Sequence, residues 1–269
     1  MLLTRLLTIA VALPLFAAAL LLLPQDLWAL FLLPGLIIGS WEWGGLAGYG
    51  PVLRASFAVV VPISAAALLY GAPAASQSPS LIDMCVYAAS CIFWLAVAPL
   101  WLATRWTNRN PIVLGAAGWL ALVPMWLALA RLQTTPWLLL LILSVVWIAD
   151  SAAYVAGKRW GRNKLAPVIS PGKTWEGVLG AAAAVAVYYV LLLFIVPPDE
   201  QYFSGWVGLA IFVVMVGLSI EGDLFESWMK RQSGLKDSGH LLPGHGGLLD
   251  RIDGLTASVP AAALAFYLH

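Results

Sequence analysis

Long apolar runs separated by short polar segments make up most of the chain. A hydrocarbon core about 30 Å thick takes roughly 20 helical residues per crossing, and nine runs approach that length. They lack the strict alternation of apolar and polar residues that membrane β-barrels show, so they predict helices. The predicted spans are residues 6–23, 27–46, 52–70, 84–104, 112–130, 137–156, 177–196, 203–222 and 254–269.

Composition supports the same class of protein. Of the 269 residues, 62% are hydrophobic and only 10% are charged, against about 25% charged in soluble domains. We therefore predict an all-α, polytopic integral membrane protein with about nine transmembrane helices. Residues 1–135 form the predicted N-terminal membrane-helix region. Residues 136–269 form the C-terminal one, and they carry two polar loops, 157–176 and 224–253.

The distribution of lysine and arginine predicts the orientation. With nine spans and a cytoplasmic N-terminus, every one of the 14 Lys and Arg residues except Arg131 falls on the cytoplasmic side. Cytoplasmic loops of membrane proteins carry this kind of excess. Both polar loops are then cytoplasmic. The net charge of +1 gives no sign of attraction to nucleic acid, and we expect no such partner.

Residues 227–253 hold four cations, three carboxylates and two histidines in a chain that is otherwise mostly apolar. Charge beside membrane spans indicates a functional site. If the eighth helix continues past residue 222, Asp223, Ser227 and Lys230 share one face by their i, i+4 and i+7 spacing. A carboxylate and a cation would then face one cavity.

Glycines surround a histidine later in this loop. Gly246 and Gly247 follow His245, a pattern typical of a tight turn whose backbone amides can approach an anion. Asp250 and Asp253 then lie three residues apart at the start of the last helix. No cysteine is near His245, and the spacing matches no zinc motif.

This residue set predicts a site for phosphate and magnesium. Magnesium usually takes one or two protein carboxylates and completes its shell with water and substrate phosphates, while lysine and arginine bind the remaining phosphate oxygens. A salt-bridged loop is the alternative, because Lys236 adjoins Asp237 and Arg251 lies between two aspartates.

The loop 157–176 is also basic. Its SPGKT segment, residues 170–174, lacks the GxxxxGK[ST] spacing of a nucleotide-binding phosphate loop. Lys173 and Thr174 instead stand at the start of the seventh helix, where free amides and the helix dipole favour anions. Ordinary cytoplasmic charge explains Lys158 and Arg159. The substrate-binding candidates are Ser170, Lys173, Thr174, Gly246 and Gly247.

Both loops resemble one known family, the phosphatidate cytidylyltransferases, also called CDP-diacylglycerol synthases, of the bacterial type. The stronger match consists of Ser227, Met229, Lys230, Arg231, Lys236, Asp237, Gly239, Leu242, Pro243, His245, Gly246, Gly247, Leu248, Asp250, Arg251, Ile252 and Asp253. The less specific match consists of Asp150, Ala153, Tyr154, Gly157, Gly161, Ser170, Pro171, Lys173, Thr174, Glu176 and Gly177. The first half of the chain resembles the family by hydropathy alone.

The resemblance implies transfer of CMP from CTP to phosphatidate, with magnesium, room for a second cation, a homodimer and the bacterial inner membrane. From charge and spacing, Asp223 and Asp250 are the preferred metal ligands, followed by Asp253 and Asp237. The residues expected to contact the reacting groups are Asp223, Ser227, Lys230, Arg231, Lys236, His245 and Arg251. Lys173 and the cations of this set would hold phosphates.

Two other functions fit parts of the pattern. A CTP-dependent kinase of a lipid alcohol would use the same nucleotide and metal but attack a different phosphorus. A transporter would also combine broken helices with intramembrane charge. The chain shows no inverted repeat, however, and its polar residues gather on one side of the predicted membrane region.

Overall fold

The computed structural model describes residues 14–71, 79–239 and 246–269, which form a helical bundle. Residues 14–22 are helical and precede α1 (Gln25–Leu46) and α2 (Pro51–Gly71). Helix α3 (Leu81–Thr104) contains a π-helical turn at Phe93–Val97. The remaining helices are α4 (Pro111–Leu132), α5 (Pro136–Trp160), α6 (Trp175–Ile195), α7 (Gly205–Ser233) and α8 (Leu249–Leu268), with a short 3₁₀ turn at Pro198–Glu200.

The prediction of an all-α polytopic membrane protein is confirmed at this level. Among the described residues, α1 to α7 are long and apolar enough to cross a membrane. Helix α8 does not meet that criterion, because three charged residues lie in its first two turns. Of the first predicted span, residues 6–23, the structure describes residues 14–23.

Local capping explains where several helices begin and end. Asn110 accepts hydrogen bonds from the Ile112 and Val113 amides at the start of α4, and Ser80 forms a capping box with Asp83 at the start of α3. Such side chains satisfy amides that have no partner within the helix. Gly234 ends α7 with φ of 71°, a conformation that glycine adopts without steric cost.

Two features differ from the sequence-based prediction. The loop 157–176, for which no strand was predicted, contains an antiparallel hairpin of β1 (Lys164–Ala166) and β2 (Ser170–Thr174). Helix α7 continues to Ser233, past the predicted end at residue 222. The apolar pattern ends early because charged residues enter the helix, but Asp223 and Glu226 each pair with a lysine and the backbone remains helical.

The polar loops meet at one end of the bundle. Asn108, between α3 and α4, and Gln232, near the end of α7, exchange two hydrogen bonds of 2.9 and 2.6 Å. The hairpin reaches α7 at the same end through Lys173. Helix α8 packs against α7, α4 and α3. This places the start of α8 beside the end of α7 and brings the two polar loops together.

Candidate active site

Acidic and basic side chains from four elements converge at this end of the bundle. We call this group the charged cluster. Its members are Asp150 of α5, Lys173 of β2, Asp223, Glu226 and Lys230 of α7, and Asp250 and Asp253 of α8.

Lys173 is held over α7 by the hairpin. Its Nζ lies 2.6 Å from Asp223 Oδ2 and 3.5 Å from the Ile220 carbonyl oxygen. Ser227, one turn farther along α7, donates a hydrogen bond of 3.2 Å to Asp223 Oδ1. The two side chains share a helix face, as their i, i+4 spacing predicts. Asp223 is 40% exposed, so its carboxylate remains accessible to a ligand.

Asp150 adds a second carboxylate beside Lys173. Ser219 Oγ donates to Asp150 Oδ1 at 3.3 Å, and Asp150 interacts electrostatically with Lys173 and Asp223. Lys173 of the hairpin thus pairs with a carboxylate of α7 and interacts electrostatically with one of α5. This arrangement links the two polar loops that the sequence presents separately.

Lys230 joins α7 to α8. Its Nζ lies 2.6 Å from both Glu226 Oε2 and Asp250 Oδ1. The three side chains are between 6% and 13% exposed. Charges removed this far from water need partners, because desolvation of an unpaired ion costs several kcal/mol. Lys230 thus bridges one carboxyl group of α7 and one of α8.

Asp250 also organises the chain before α8. Its Oδ2 accepts hydrogen bonds from the Gly247 amide (2.8 Å) and from the Ser238 amide and hydroxyl (3.0 Å each). Burial raises the pKa of Asp250, but the bonds and charge of Lys230 and the two amides outweigh burial, and the pKa lies below its usual value. Asp250 is therefore a carboxylate at neutral pH, the form that binds a cation.

Asp253 lies one turn into α8, where α7 and α8 approach closely. A side chain at Gly222 would overlap the Asp253 carbonyl oxygen, and one at Gly254 would overlap Ser219. This close crossing brings Asp253 within electrostatic range of Asp223. The structure therefore groups three of the four predicted metal ligands, and the fourth, Asp237, is exposed in the segment before α8.

Other predicted site residues lie around the charged cluster. Thr174 is buried and accepts a hydrogen bond from the Gly177 amide, so its hydroxyl caps α6. Ser170 begins β2 and is half-buried. Three predicted cations are exposed nearby. One of them is Arg231, whose Nε donates to the Ile169 carbonyl oxygen at 3.3 Å. The other two are Lys236 and Arg251.

Of the predicted glycine turn around residue 245, the structure describes Gly246 and Gly247. Gly246 has φ of 81°, and a side chain there would also meet Asp250 Oδ2. Gly247 is buried and donates its amide to Asp250. Glycine is thus favoured at position 246 both by the backbone conformation and by the approach of Asp250. His245 lies outside the described residues.

Within the described ranges, no group of three histidine, cysteine, aspartate or glutamate side chains is arranged as a ready metal site. Magnesium does not require one, since it often binds one or two carboxylates together with substrate phosphates. Asp223 and Asp250 each hold an ammonium group at 2.6 Å. Both carboxylates therefore already face positive charge.

A large apolar cavity lies at the other end of α5 and α6. It has a volume of about 880 Å³ and is lined by residues such as Trp137, Tyr188, Leu192 and Phe212. This lining offers few groups that could neutralise a triphosphate. The charged cluster, rather than this cavity, has the chemistry of a nucleotide site.

Sequence reasoning missed Glu42 of α1. This side chain is 3% exposed, and it accepts hydrogen bonds from the amides of Leu248 and Leu249. The sequence feature that could have revealed Glu42 is that it is a single carboxylate within the second predicted span, between Trp41 and Trp43. A charged residue at such a position indicates a buried partner.

Comparison with known proteins gives one consistent result. Residues 3–269 match the sequence model of one protein family, which is described as the cytidylyltransferase family. The phosphatidate cytidylyltransferase of Pseudomonas aeruginosa is 40% identical over 267 residues, which cover 98% of this chain and 96% of that protein. Those of Haemophilus influenzae and Brucella suis are 46% identical over 127 and 126 residues, 46% of this chain and 43% and 44% of their own lengths.

Proposed function

The chain belongs to the cytidylyltransferase family, and we propose that it transfers CMP from CTP to phosphatidate, forming CDP-diacylglycerol and pyrophosphate in phospholipid biosynthesis. This agrees with the family predicted from the two polar loops. One observation carries the assignment within the structure. The pairs Lys173–Asp223 and Lys230–Asp250, each at 2.6 Å, meet at the polar end of an apolar bundle.

The reaction makes modest demands on acid–base chemistry. The phosphate monoester of phosphatidate has a second pKa of about 6, so it is largely dianionic near neutral pH. Its oxygen attacks the α-phosphorus of CTP, and the bond from that phosphorus to the bridging oxygen breaks to release pyrophosphate. The protein must position the two anions and neutralise the charge that develops. Lys173 and Lys230 are suited to both tasks.

We propose that Asp223 and Asp250 hold magnesium, with Asp253 beside them and Asp237 farther out. The accessibility of Asp223 and the ionised state of Asp250 support this choice. Bound magnesium would polarise phosphate oxygens and neutralise part of their charge. Lys173 and Lys230, which pair with these carboxylates in the structure, would then contact phosphates of the substrate. A second cation remains part of the proposal.

Outer cations and the turn before α8 would complete the nucleotide site. Arg231, Lys236 and Arg251 are exposed around the charged cluster, where they can attract and hold a triphosphate. The family resemblance supports contacts from Ser227, His245, Ser170, Gly246 and Gly247. Thr174 has a different role in our proposal, because its hydroxyl caps the start of α6.

The membrane arrangement follows from the substrate. We propose nine spans, a cytoplasmic N-terminus and an active site on the cytoplasmic side of the bacterial inner membrane. The gathering of the cationic loops at one end supports this orientation. Phosphatidate would enter sideways, since withdrawing its tails from lipid costs about 0.8 kcal/mol per CH₂ group. We also propose a homodimer, on the family resemblance, which the mass of the detergent-solubilised protein would test.

Labelled CTP tests the reaction directly. Purified protein in detergent is incubated with phosphatidate, magnesium and CTP labelled at either the α- or the γ-phosphorus. We expect α-label in the lipid product and γ-label in pyrophosphate. Transfer of γ-label to lipid would instead establish a kinase and reject the proposal. The variant Asp223→Asn, assayed at equal folded concentration, controls for activity from a contaminating protein.

A further inference from the structure

Glu42 is a buried carboxylate that the proposed reaction leaves unexplained. It lies on α1, in the N-terminal half of the chain, yet both of its oxygens contact the segments around the charged cluster. Oε1 accepts from the Leu248 amide at 3.0 Å, and Oε2 accepts from the Leu249 amide at 2.8 Å. These bonds join residues more than 200 positions apart in sequence.

Glu42 supplies the cap that the sequence of α8 lacks. The N-cap residue of α8 is Leu248, whose side chain has no hydrogen-bonding group, and no local side chain caps the helix. Amides at a helix start have no partner within the helix, and leaving them unpaired when buried is costly. A carboxylate is well suited to this place because it accepts two amides and complements the positive end of the helix dipole.

Ser238 links Glu42 to the charged cluster. Its hydroxyl oxygen lies 3.1 Å from Glu42 Oε2 and 3.0 Å from Asp250 Oδ2. Asp250 in turn contacts Lys230 at 2.6 Å. One continuous set of hydrogen bonds and ion pairs therefore runs from α1 to the lysine that we expect to contact phosphate.

Two glycines allow the chain to approach Glu42 this closely. A side chain at Gly239 would overlap Glu42 Oε1, and one at Gly247 would overlap Ser238 Oγ and both Glu42 oxygens. Both glycines belong to the segment that resembles the cytidylyltransferase signature. Contact with Glu42 is thus a structural reason for glycine at these two positions.

We propose that Glu42 is a positioning residue for cytidylyl transfer. It fixes the segments 237–239 and 246–249 against α1 and thereby holds Asp250 and Lys230 in their working geometry. It does not touch substrate itself. The inference rests on the proposed function for its kinetic consequence, while its structural consequence can be measured without substrate.

The kinetic test uses Glu42→Gln. The amide keeps the shape of the side chain but presents an NH₂ group to amides that need an acceptor. Loss of a residue that orients metal-binding groups typically lowers activity by about 10- to 100-fold. We expect kcat to fall by this factor while KM for phosphatidate stays within about twofold. Ser40→Ala is the matched control, because Ser40 is buried on the same helix and its hydroxyl donates to the Leu36 carbonyl oxygen of that helix.

A second readout detects loss of local order rather than of folding. Lys236 is an exposed trypsin site beside Ser238, whereas Arg162 is an exposed site near the hairpin. We expect Glu42→Gln to accelerate cleavage after Lys236 and to leave cleavage after Arg162 unchanged. Equal acceleration at both sites, or wild-type kcat and cleavage, would overturn the proposal. This readout holds even if the protein proves to catalyse a different reaction.

Ser238→Ala keeps the test decisive if Glu42→Gln does not fold. This variant keeps the two amide bonds to Glu42 and the bond from the Ser238 amide to Asp250, and it removes only the hydroxyl that contacts both carboxylates. We expect a smaller but clear fall in kcat, with cleavage after Lys236 increased. When both variants fold, the double variant should lose little more activity than Glu42→Gln alone, since the two residues act through one contact. Wild-type behaviour of Ser238→Ala, or full additivity in the double variant, would contradict the proposal.

Discussion

Two buried ion-pair networks lie at opposite ends of α8, and they differ in how far they are closed to water. Near its C-terminal end, Arg131 Nε lies 3.2 Å from Asp83 Oδ2, with exposures of 7% and 0%. Near its start, Lys230 bridges Glu226 and Asp250. Tyr267, which stacks on Tyr87 beside the first network, is about 26 Å along the helix from Asp250.

In the network at Asp83, both charged side chains are buried and also hydrogen-bond to the backbone. Asp83 also completes the capping box of α3 through the Ser80 amide, and Arg131 donates to the Leu69 carbonyl oxygen at the end of α2. The Asp83–Arg131 pair therefore connects α2, α3 and α4. The charged cluster, in contrast, includes Asp223, which is 40% exposed. Buried charge alone does not identify a site; access for a ligand distinguishes the two networks.

The largest expected effect is that of Asp250→Asn. The change removes the charge that holds Lys230 and the proposed metal. Activity should fall by at least about 10³-fold, equivalent to about 4 kcal/mol. Turnover is measured at saturating magnesium, and the elution volume in detergent checks that the protein remains folded. Near-normal turnover would reject Asp250 as a metal ligand.

Arg131→Met should affect stability instead of chemistry. It leaves the Asp83 carboxylate without its ion pair in a buried position, a change that typically costs about 3–5 kcal/mol. Thermal unfolding in detergent should occur at a clearly lower temperature, while kcat per folded molecule should stay near that of the wild type. Arg109→Met, in an exposed loop, is the matched control. An unchanged melting temperature with a lower kcat would show that the two networks are not functionally distinct.

Lys173→Met should lower activity by about 10²- to 10³-fold, the effect of removing one donor that stabilises transition-state charge. We also expect a raised KM for CTP, since the same ammonium would bind phosphate in the ground state. Lys158→Met removes an exposed lysine that lies over the Tyr154 ring and controls for loss of positive charge. If both variants lose the same amount of activity, Lys173 contributes only to the general positive charge of the cytoplasmic loops and does not contact a phosphate.

The smallest expected effect is that of Thr174→Ala. Loss of the α6 cap should lower the free energy of unfolding by about 1 kcal/mol. Activity should change little at a temperature where the protein is fully folded, and Thr174→Ser should restore stability. A raised KM for CTP without any loss of stability would instead support the substrate contact that the sequence suggested.

The transmembrane elements were largely predictable. The predicted spans 112–130 and 177–196 correspond to Pro111–Leu132 and Trp175–Ile195, because apolar length and capping residues such as Asn110 act locally. The end of α7 was predicted too early, since Asp223 and Glu226 interrupt its apolar pattern. The hairpin was missed because five residues of β2, SPGKT, carry no alternating apolar signal.

The candidate site was predictable as a set of residue types but not as a set of contacts. The signature in residues 227–253 pointed to the metal and phosphate chemistry, and the spacing of Asp223 and Ser227 correctly placed them on one face. Nothing in that spacing indicates that Lys230 pairs with Asp250, or that Glu42 lies beside them.

By itself, the sequence determined the membrane class, most helix positions and the family, because each depends on patterns within a few tens of residues. Only the tertiary structure decided the partners of each charge: Lys173 with Asp223, Lys230 with Asp250, and Glu42 with the start of α8. These pairings depend on which helices cross closely enough, as α7 and α8 do at Gly222. Helix periodicity determines the face of the helix on which a side chain lies, but tertiary packing determines which residues contact that face.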